Sequence, residues 1–381
     1  MSIDVQDQVK TDKVLLAEHR SDENSVIAVA TLNKPKALNA LDLDMARDLL
    51  AALRHWQERD DVMCVVLMAE GDKAFCAGGD IVSMYKAMQE AEGETPAFVQ
   101  EFFTQEYTLD YTIHTYKKPI IVWGTGIVMG GGMGLLTGAS HRLVTQSSRL
   151  AMPEISIGLY PDVGGSYFLP RLPGHTGMFL GLTGASMNAT DACYLGLADH
   201  TVDEGARKQL IASLIGHTWH KRSSKHEQVD YVIKSLPKPD EPPKGNVEAH
   251  RALIDKVCDG ESLGHVIRQI VDLDDYGNKW LAKAKATLKA GSPITAHLVY
   301  QQVVRGKGMS LLGCFEMELI MSCRCSEFGE LQEGIRALLI DKDNNPAWKY
   351  PDVDSVPPEV IVKFFTSPFK DHPLSELEKL K

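Results

Sequence analysis

The chain has 381 residues, 44% hydrophobic and 24% charged, a globular composition long enough to bury one large core or two smaller ones. A formal net charge of -11 and a pI near 5.6 argue against broad attraction to nucleic acid or anionic lipid, so an anionic ligand would need a local basic patch. Seven cysteines, with Cys323 and Cys325 only one residue apart, fit reduced thiols in a cytoplasm-like compartment better than a disulfide framework or a metal knuckle.

The opening, Met1-Ser-Ile-Asp-Val-Gln-Asp-Gln-Val-Lys10, holds two acids and no apolar block. It reads neither as a signal peptide nor as an Arg-rich transit peptide, and a cytoplasmic location is the expectation. Residues 26–32 form a β-rich run, followed over residues 41–56 by a helical period that puts Met45, Leu49, Leu53 and Trp56 on one face. The pattern recurs: residues 63–69 read as a buried strand, a glycine loop ends at Asp80, and Ile81, Met84, Tyr85 and Met88 mark the next helix, with Asp80 placed as its N-cap.

A third copy starts with a strand over residues 119–123, passes through Gly130-Gly-Gly132 and begins a helix at Gly132 or Met133. Residues 119–140 carry no charge and repeat glycine at every fourth position from Gly126 to Gly138, so a membrane helix has to be weighed. Seven glycines make that segment a poor isolated helix, and a buried segment of a soluble protein is the better reading. Strand signals fade past Val202. A proline-rich stretch over residues 236–245 marks a hinge or surface loop, and residues 248–273, 278–290, 296–304 and 311–328 then read as helices. Alternating strands and helices followed by helices alone give an α/β core over residues 11–225 and a mainly helical region over residues 226–381.

Two loops share one logic, because Ala74-Phe-Cys-Ala-Gly-Gly-Asp80 and Met129-Gly-Gly-Gly-Met133 each follow a strand and lead into a helix. If they converge, the amides of Gly79 and Gly131 form a two-donor hole for a carbonyl oxygen gaining charge; the plainer reading is that the glycines only permit tight turns. Glu154 and Asp162 stand eight positions apart in an apolar stretch broken by Pro153, Gly158 and Pro161. Either the fold brings them together in a dry pocket, where a carboxyl group serves as base, acid or nucleophile, or Asp162 caps its turn and Glu154 pairs with Arg171. Glu106 sits among aromatics, with a helix-surface acid as its default reading. Cys76 reads as inert, and His114, His141 and His175 read as structural, since no metal-binding cluster accompanies them. Met129 interrupts a dinucleotide fingerprint, and neither a Gly-x-Ser-x-Gly elbow nor a Walker loop is present.

Taken together, Asn33-Lys-Pro-Lys-Ala-Leu-Asn-Ala-Leu41, Ala74-Phe-Cys-Ala-Gly-Gly-Asp80, Gly126-Ile-Val-Met-Gly-Gly-Gly132 and Met152-Pro-Glu154 resemble the crotonase (enoyl-CoA hydratase/isomerase) superfamily. Residues 157–172 and 333–343 look like its 3-hydroxyisobutyryl-CoA hydrolase branch. The resemblance implies a crotonase-like spiral of ββα units, a helical C-terminal region closing the acyl site, and an oxyanion hole from Gly79 and Gly131. It matches Glu106, Glu154 and Asp162 to the family's functional acids. One departure stands out: the hydratases carry a glutamate where this chain has Gly134.

The activity so implied is hydrolysis of a short β-hydroxyacyl-CoA, 3-hydroxyisobutyryl-CoA above all, in valine catabolism. Glu154 would attack the carbonyl or activate water, Asp162 would position the hydroxyl or manage protons, and Glu106 would bind the acyl end. Lys34, Lys36 and Lys73 are candidates to meet the CoA phosphates, each with solvated lysine as the alternative. Acyl-CoA is then the partner, as substrate and product, with no separate cofactor, no metal, no nucleic acid and no membrane, and a homo-oligomer is allowed. Enoyl-CoA hydration or isomerisation, and a non-catalytic CoA-fold binding subunit, are the alternatives.

Overall fold

The computed structural model describes residues 12–91, 93–220 and 222–380. Met1–Lys10, on which the reading of the chain's opening rests, and residue 11, the first of the expected core, lie outside the described residues. Nine strands are present among them: β1 (Val14–Asp22), β2 (Ser25–Leu32), β3 (Val62–Ala69), β4 (Ala74–Cys76), β5 (Ile120–Gly124), β6 (Ile127–Met129), β7 (His141–Val144), β8 (Arg149–Ala151) and β9 (His200–Thr201).

Six of them form one sheet in the order β1-β2-β3-β5-β7-β9, and β4-β6-β8 form a second. Only β1 pairs antiparallel in the larger sheet; β2, β3, β5, β7 and β9 run parallel. That arrangement explains the β3 sequence, Val-Met-Cys-Val-Val-Leu-Met-Ala, in which all eight residues are buried, because a parallel strand is covered on both faces and has no polar side to show. One face, bearing Ile27, Val66, Ile121, Trp123 and Leu143, packs with Leu210, Leu214, Val229 and Val232 from the helices Arg207–Gly216 and Lys225–Lys234.

The first helices are α1 (Leu43–Gln57), α2 (Ile81–Glu90), α3 (Ala97–His114) and α4 (Gly131–Thr137). Met45, Leu49, Leu53 and Trp56 of α1 are all buried, as their shared face requires. Leu49 and Leu53, with Leu109 and Ile113 of α3, meet Val65 and Leu67 of β3 around a small apolar cavity. Asp80 caps α2 through a bond accepted from the Ser83 amide at 3.2 Å. Further along, the single helix expected over residues 248–273 is instead two, Arg251–Cys258 and Leu263–Asp272. The break falls at Gly260, a weak helix former, and Ser262 restarts the second helix by accepting the His265 amide at 3.3 Å.

Contacts divide the chain into two compact units that alternate along it. One comprises the residues up to Gly79, Thr108–Leu150 and Met187–Gly245, and carries the six-stranded sheet. The other comprises Asp80–Tyr107, Ala151–Ser186 and the residues from Asn246 onward, and is mainly helical.

Candidate active site

In the sheet-bearing unit the two glycine loops converge. β4 pairs in parallel with β6, Ala74 opposite Ile127 and Cys76 opposite Val128, so the turns that follow these strands leave side by side. The approach is closer than any side chain allows: a Cβ on Gly132 would stand 2.3 Å from the Cys76 carbonyl oxygen. Gly130 takes φ 48° and ψ -121°, a conformation that suits glycine alone. The first loop is held by the Leu41 amide, which donates to the Gly78 carbonyl at 2.8 Å, and by the Ala77 amide, which donates to Leu38 at 3.1 Å. Buried Asn39 braces it from behind, donating to the Glu70 and Ala74 carbonyls at 3.0 and 2.9 Å.

Gly131 is the first residue of α4, where no intrahelical carbonyl can reach its amide. Among the described residues, neither the Gly131 N–H nor the Gly79 N–H is given to a hydrogen-bond acceptor. Lys34, Lys36 and Lys73 lie in the same unit, on the loops around this feature. Lys34 is committed, its ammonium donating to Asp42 at 2.8 Å and to the Ala40 carbonyl at 3.1 Å, whereas Lys36 and Lys73 are exposed.

The helical unit holds all three acids. Glu106, Glu154 and Asp162 are only 2%, 5% and 4% exposed, so the helix-surface reading of Glu106 is corrected: the face of α3 that carries it is covered by protein. Burial pushes Glu154 well above the usual carboxylate range, and the charges of Asp162 and then Glu106 add to the effect. Glu106 is raised likewise, by burial first and by Asp162 second. Asp162 is raised by burial to about 6, against the opposing bond from Tyr107. One oxygen each of Glu106 and Glu154 is buried with no hydrogen-bond partner among the described residues, so acceptor capacity is left for a ligand.

The structural alternatives for these acids do not hold. Arg171 donates to the carbonyls of Tyr167, Gly306 and Met309 rather than pairing with Glu154. Asp162 closes its turn through its backbone carbonyl, which accepts the Gly165 amide at 2.7 Å, and this leaves the carboxyl group for Tyr107, whose hydroxyl donates to it at 2.7 Å. Burial lowers His114 to about 4, and His141 is a stacked partner of His226. Among the described residues no group of three or more His, Cys, Asp or Glu side chains is arranged to hold a metal ion.

Sequence reasoning missed four residues around Asp162. Ser322 lies 2.7 Å from the Tyr107 hydroxyl and 2.8 Å from that of Tyr160, which in turn donates to the Glu318 carbonyl at 2.6 Å. The Glu318 carboxyl group accepts the amides of Gly164 and Ser166 at 2.8 and 2.7 Å. Those two bonds secure a strained turn, for Val163 is β-branched yet sits at φ 49° between Asp162 and Gly164. A signal for Glu318 and Ser322 existed in the helix Leu311–Phe328: Cys314, Glu318, Met321, Ser322 and Cys325 fall on one buried stripe, where an acid needs a reason.

The model of the enoyl-CoA hydratase/isomerase family matches residues 27–365, and the chain belongs to that family. It is 38% identical over 339 residues to the mitochondrial 3-hydroxyisobutyryl-CoA hydrolase of Danio rerio, covering 89% of this chain and 87% of that one. Two crystal structures share its fold. An enoyl-CoA hydratase from Rhodobacter sphaeroides 2.4.1 is 34% identical with a TM-score of 0.82, over 94% of this chain and 98% of that one. A carnitinyl-CoA dehydratase from Mycobacterium thermoresistibile is 30% identical with a TM-score of 0.83, over 95% and 98%. The chain thus has the crotonase-like α/β fold.

Two substitutions test the positioning elements. Gly132→Ala should push the two glycine loops apart and lower turnover by about two orders of magnitude, the cost typical of losing one oxyanion donor; steady-state kinetics on an acyl-CoA substrate reads it, and unchanged turnover would contradict the tight approach. Glu318→Gln replaces one of two acceptors with a donor and orphans a buried amide. Urea unfolding should show a loss of about 1–3 kcal/mol, and a loss near zero would mean that the turn at Val163 holds itself.

Proposed function

We propose that this protein is an acyl-CoA thioester hydrolase acting on a short β-hydroxyacyl-CoA, with 3-hydroxyisobutyryl-CoA as the substrate and free CoA and the hydroxy acid as products. The observation that carries the reading is the buried trio Glu106, Glu154 and Asp162, set against Gly134, which brings no carboxyl group to α4. A hydratase of this family shares water between two acids, one of them at the Gly134 position. Here the second acid is Asp162. The name of the Danio rerio relative supports the same substrate.

In this reading the amides of Gly79 and Gly131 receive the thioester oxygen as it gains charge. Glu154 acts on the carbonyl carbon, either directly, forming a mixed anhydride as the C–S bond breaks and later giving it to water, or by taking a proton from the attacking water. The departing sulfur takes a proton to become the CoA thiol. Asp162 holds the substrate hydroxyl or handles that proton, and Glu106 binds the acyl end. Lys36 and Lys73, exposed and uncommitted to an acid, are better placed for CoA phosphates than Lys34, which is bonded to Asp42. No metal or further cofactor takes part.

Seven free cysteines support a reducing compartment. That condition suits both the cytoplasm and the mitochondrial location in the vertebrate relatives' names. No helix among the described residues is long and apolar enough to cross a membrane. An acyl-CoA is the partner proposed, with no nucleic acid, and the step belongs to valine breakdown.

Hydration is the reading favoured by the names of the two crystal structures, and the substrates separate the two. With 3-hydroxyisobutyryl-CoA the protein should release free thiol, and with crotonyl-CoA it should leave the alkene absorbance essentially unchanged. Alkene loss without thiol release would replace the hydrolase reading with the hydratase one. Glu154→Gln should cut thiol release by about three orders of magnitude or more. Full activity in that variant would remove Glu154 from the chemistry.

A further inference from the structure

Four short oxygen–oxygen contacts link Asp162 to the backbone of the helix Leu311–Phe328. They run from the Asp162 carboxyl group to the Tyr107 hydroxyl (2.7 Å), to the Ser322 hydroxyl (2.7 Å), to the Tyr160 hydroxyl (2.8 Å) and to the Glu318 carbonyl (2.6 Å). Every member of the chain is buried. Each contact needs one hydrogen, and the last oxygen, a carbonyl, brings none. Both phenols keep theirs, since burial holds Tyr107 and Tyr160 well above the usual tyrosine range.

The count then depends on Asp162 alone. With the carboxylate ionised, three hydroxyls supply three hydrogens to four contacts, and one pair of oxygens faces lone pair to lone pair. With the carboxyl group protonated, four hydrogens fill four contacts, each hydroxyl accepting once and donating once toward the Glu318 carbonyl. Such an unfilled contact in a dry site costs as much as a lost hydrogen bond.

We propose that Ser322 and Tyr160, neither of which touches Asp162, raise its affinity for a proton by completing a hydroxyl chain that only the protonated acid can fill. They are positioning residues acting through Tyr107. The other titratable groups coupled to Asp162 are Glu106 from α3, Glu154 on its own segment, and Glu318 and Cys325 from the helix Leu311–Phe328, each of them raised by the Asp162 charge; Ser322→Ala and Tyr160→Phe leave all four side chains in place. The inference deepens the reading of the acid cluster. It concerns a titration and stands whether the catalysed reaction is hydrolysis or hydration.

Hydrogen counting fixes a sign for each variant. Ser322→Ala leaves two contacts, Asp162 to Tyr107 and Tyr160 to the Glu318 carbonyl, which the two phenols fill with Asp162 ionised. Tyr160→Phe also leaves two contacts, filled by Tyr107 and Ser322. Both should lower the Asp162 midpoint, by roughly one pH unit.

The measurement is a carbon-13 NMR titration of the full-length protein labelled at aspartate Cγ, with the Asp162 signal assigned by its loss in Asp162→Asn. A midpoint lowered in both Ser322→Ala and Tyr160→Phe is the result expected. If Ser322→Ala or Tyr160→Phe leaves the midpoint unchanged or raises it, the proposal is overturned. Should Ser322→Ala fail to fold, the near-isosteric Tyr160→Phe decides alone.

Discussion

Removing three carboxyl groups from water is the constraint on which the chemistry proposed for this protein depends. Isolated buried carboxylates are too costly to keep charged, so Glu106, Glu154 and Asp162 respond by holding protons more tightly, and the Asp162 charge makes ionisation harder for both glutamates. Asp162, raised to about 6, is brought toward the pH at which an acid can exchange protons in an enzyme site. The surrounding aromatics keep the site dry: Phe103 and Phe315 stand 5.5 and 5.9 Å from the Tyr107 ring, centroid to centroid.

Holding such groups in place takes a scaffold with little freedom. Val163 accepts a left-handed backbone because Glu318 fastens the two amides beyond it and Gln302 donates to the Pro161 carbonyl at 2.7 Å. In the sheet-bearing unit the same rigidity comes from absence of side chains. Gly132 against the Cys76 carbonyl, and Gly126 at φ 62° with a Cβ position 2.4 Å from the Lys73 carbonyl, bring backbone to backbone and leave the Gly79 and Gly131 amides uncommitted.

Much of this was legible in the sequence. Period and burial agree for α1, the unbroken apolar run of β3 announces a strand covered on both faces, and Asp80 caps α2 as its position demands. Local rules failed where the decisive partner was distant. Glu106 looks like an ordinary helix acid until Asp162, 56 positions on, is folded against it. Tyr107, Tyr160 and Ser322 are unremarkable residues whose meaning lies in oxygens brought together from three separated segments. The split of residues 248–273 into two helices was visible in the polar run Asp259-Gly-Glu-Ser262, where a weak helix former stands just before a good N-cap.

The most direct test of the buried-acid cluster is the pH dependence of unfolding. Acids whose folded midpoints are raised add stability that is complete below the ordinary carboxylate range, near pH 4, and is lost as pH rises through the folded midpoints, about 6 for Asp162 and well above the ordinary range for Glu106 and Glu154. Urea unfolding at pH 5 and pH 8 would compare the native protein with the combined Glu106→Gln, Glu154→Gln, Asp162→Asn variant. The native protein should lose stability more steeply, by about 1.4 kcal/mol per pH unit for each group that is protonated only when folded. Equal slopes in the two proteins would mean that these acids lie in water, and would contradict the burial on which their chemistry depends.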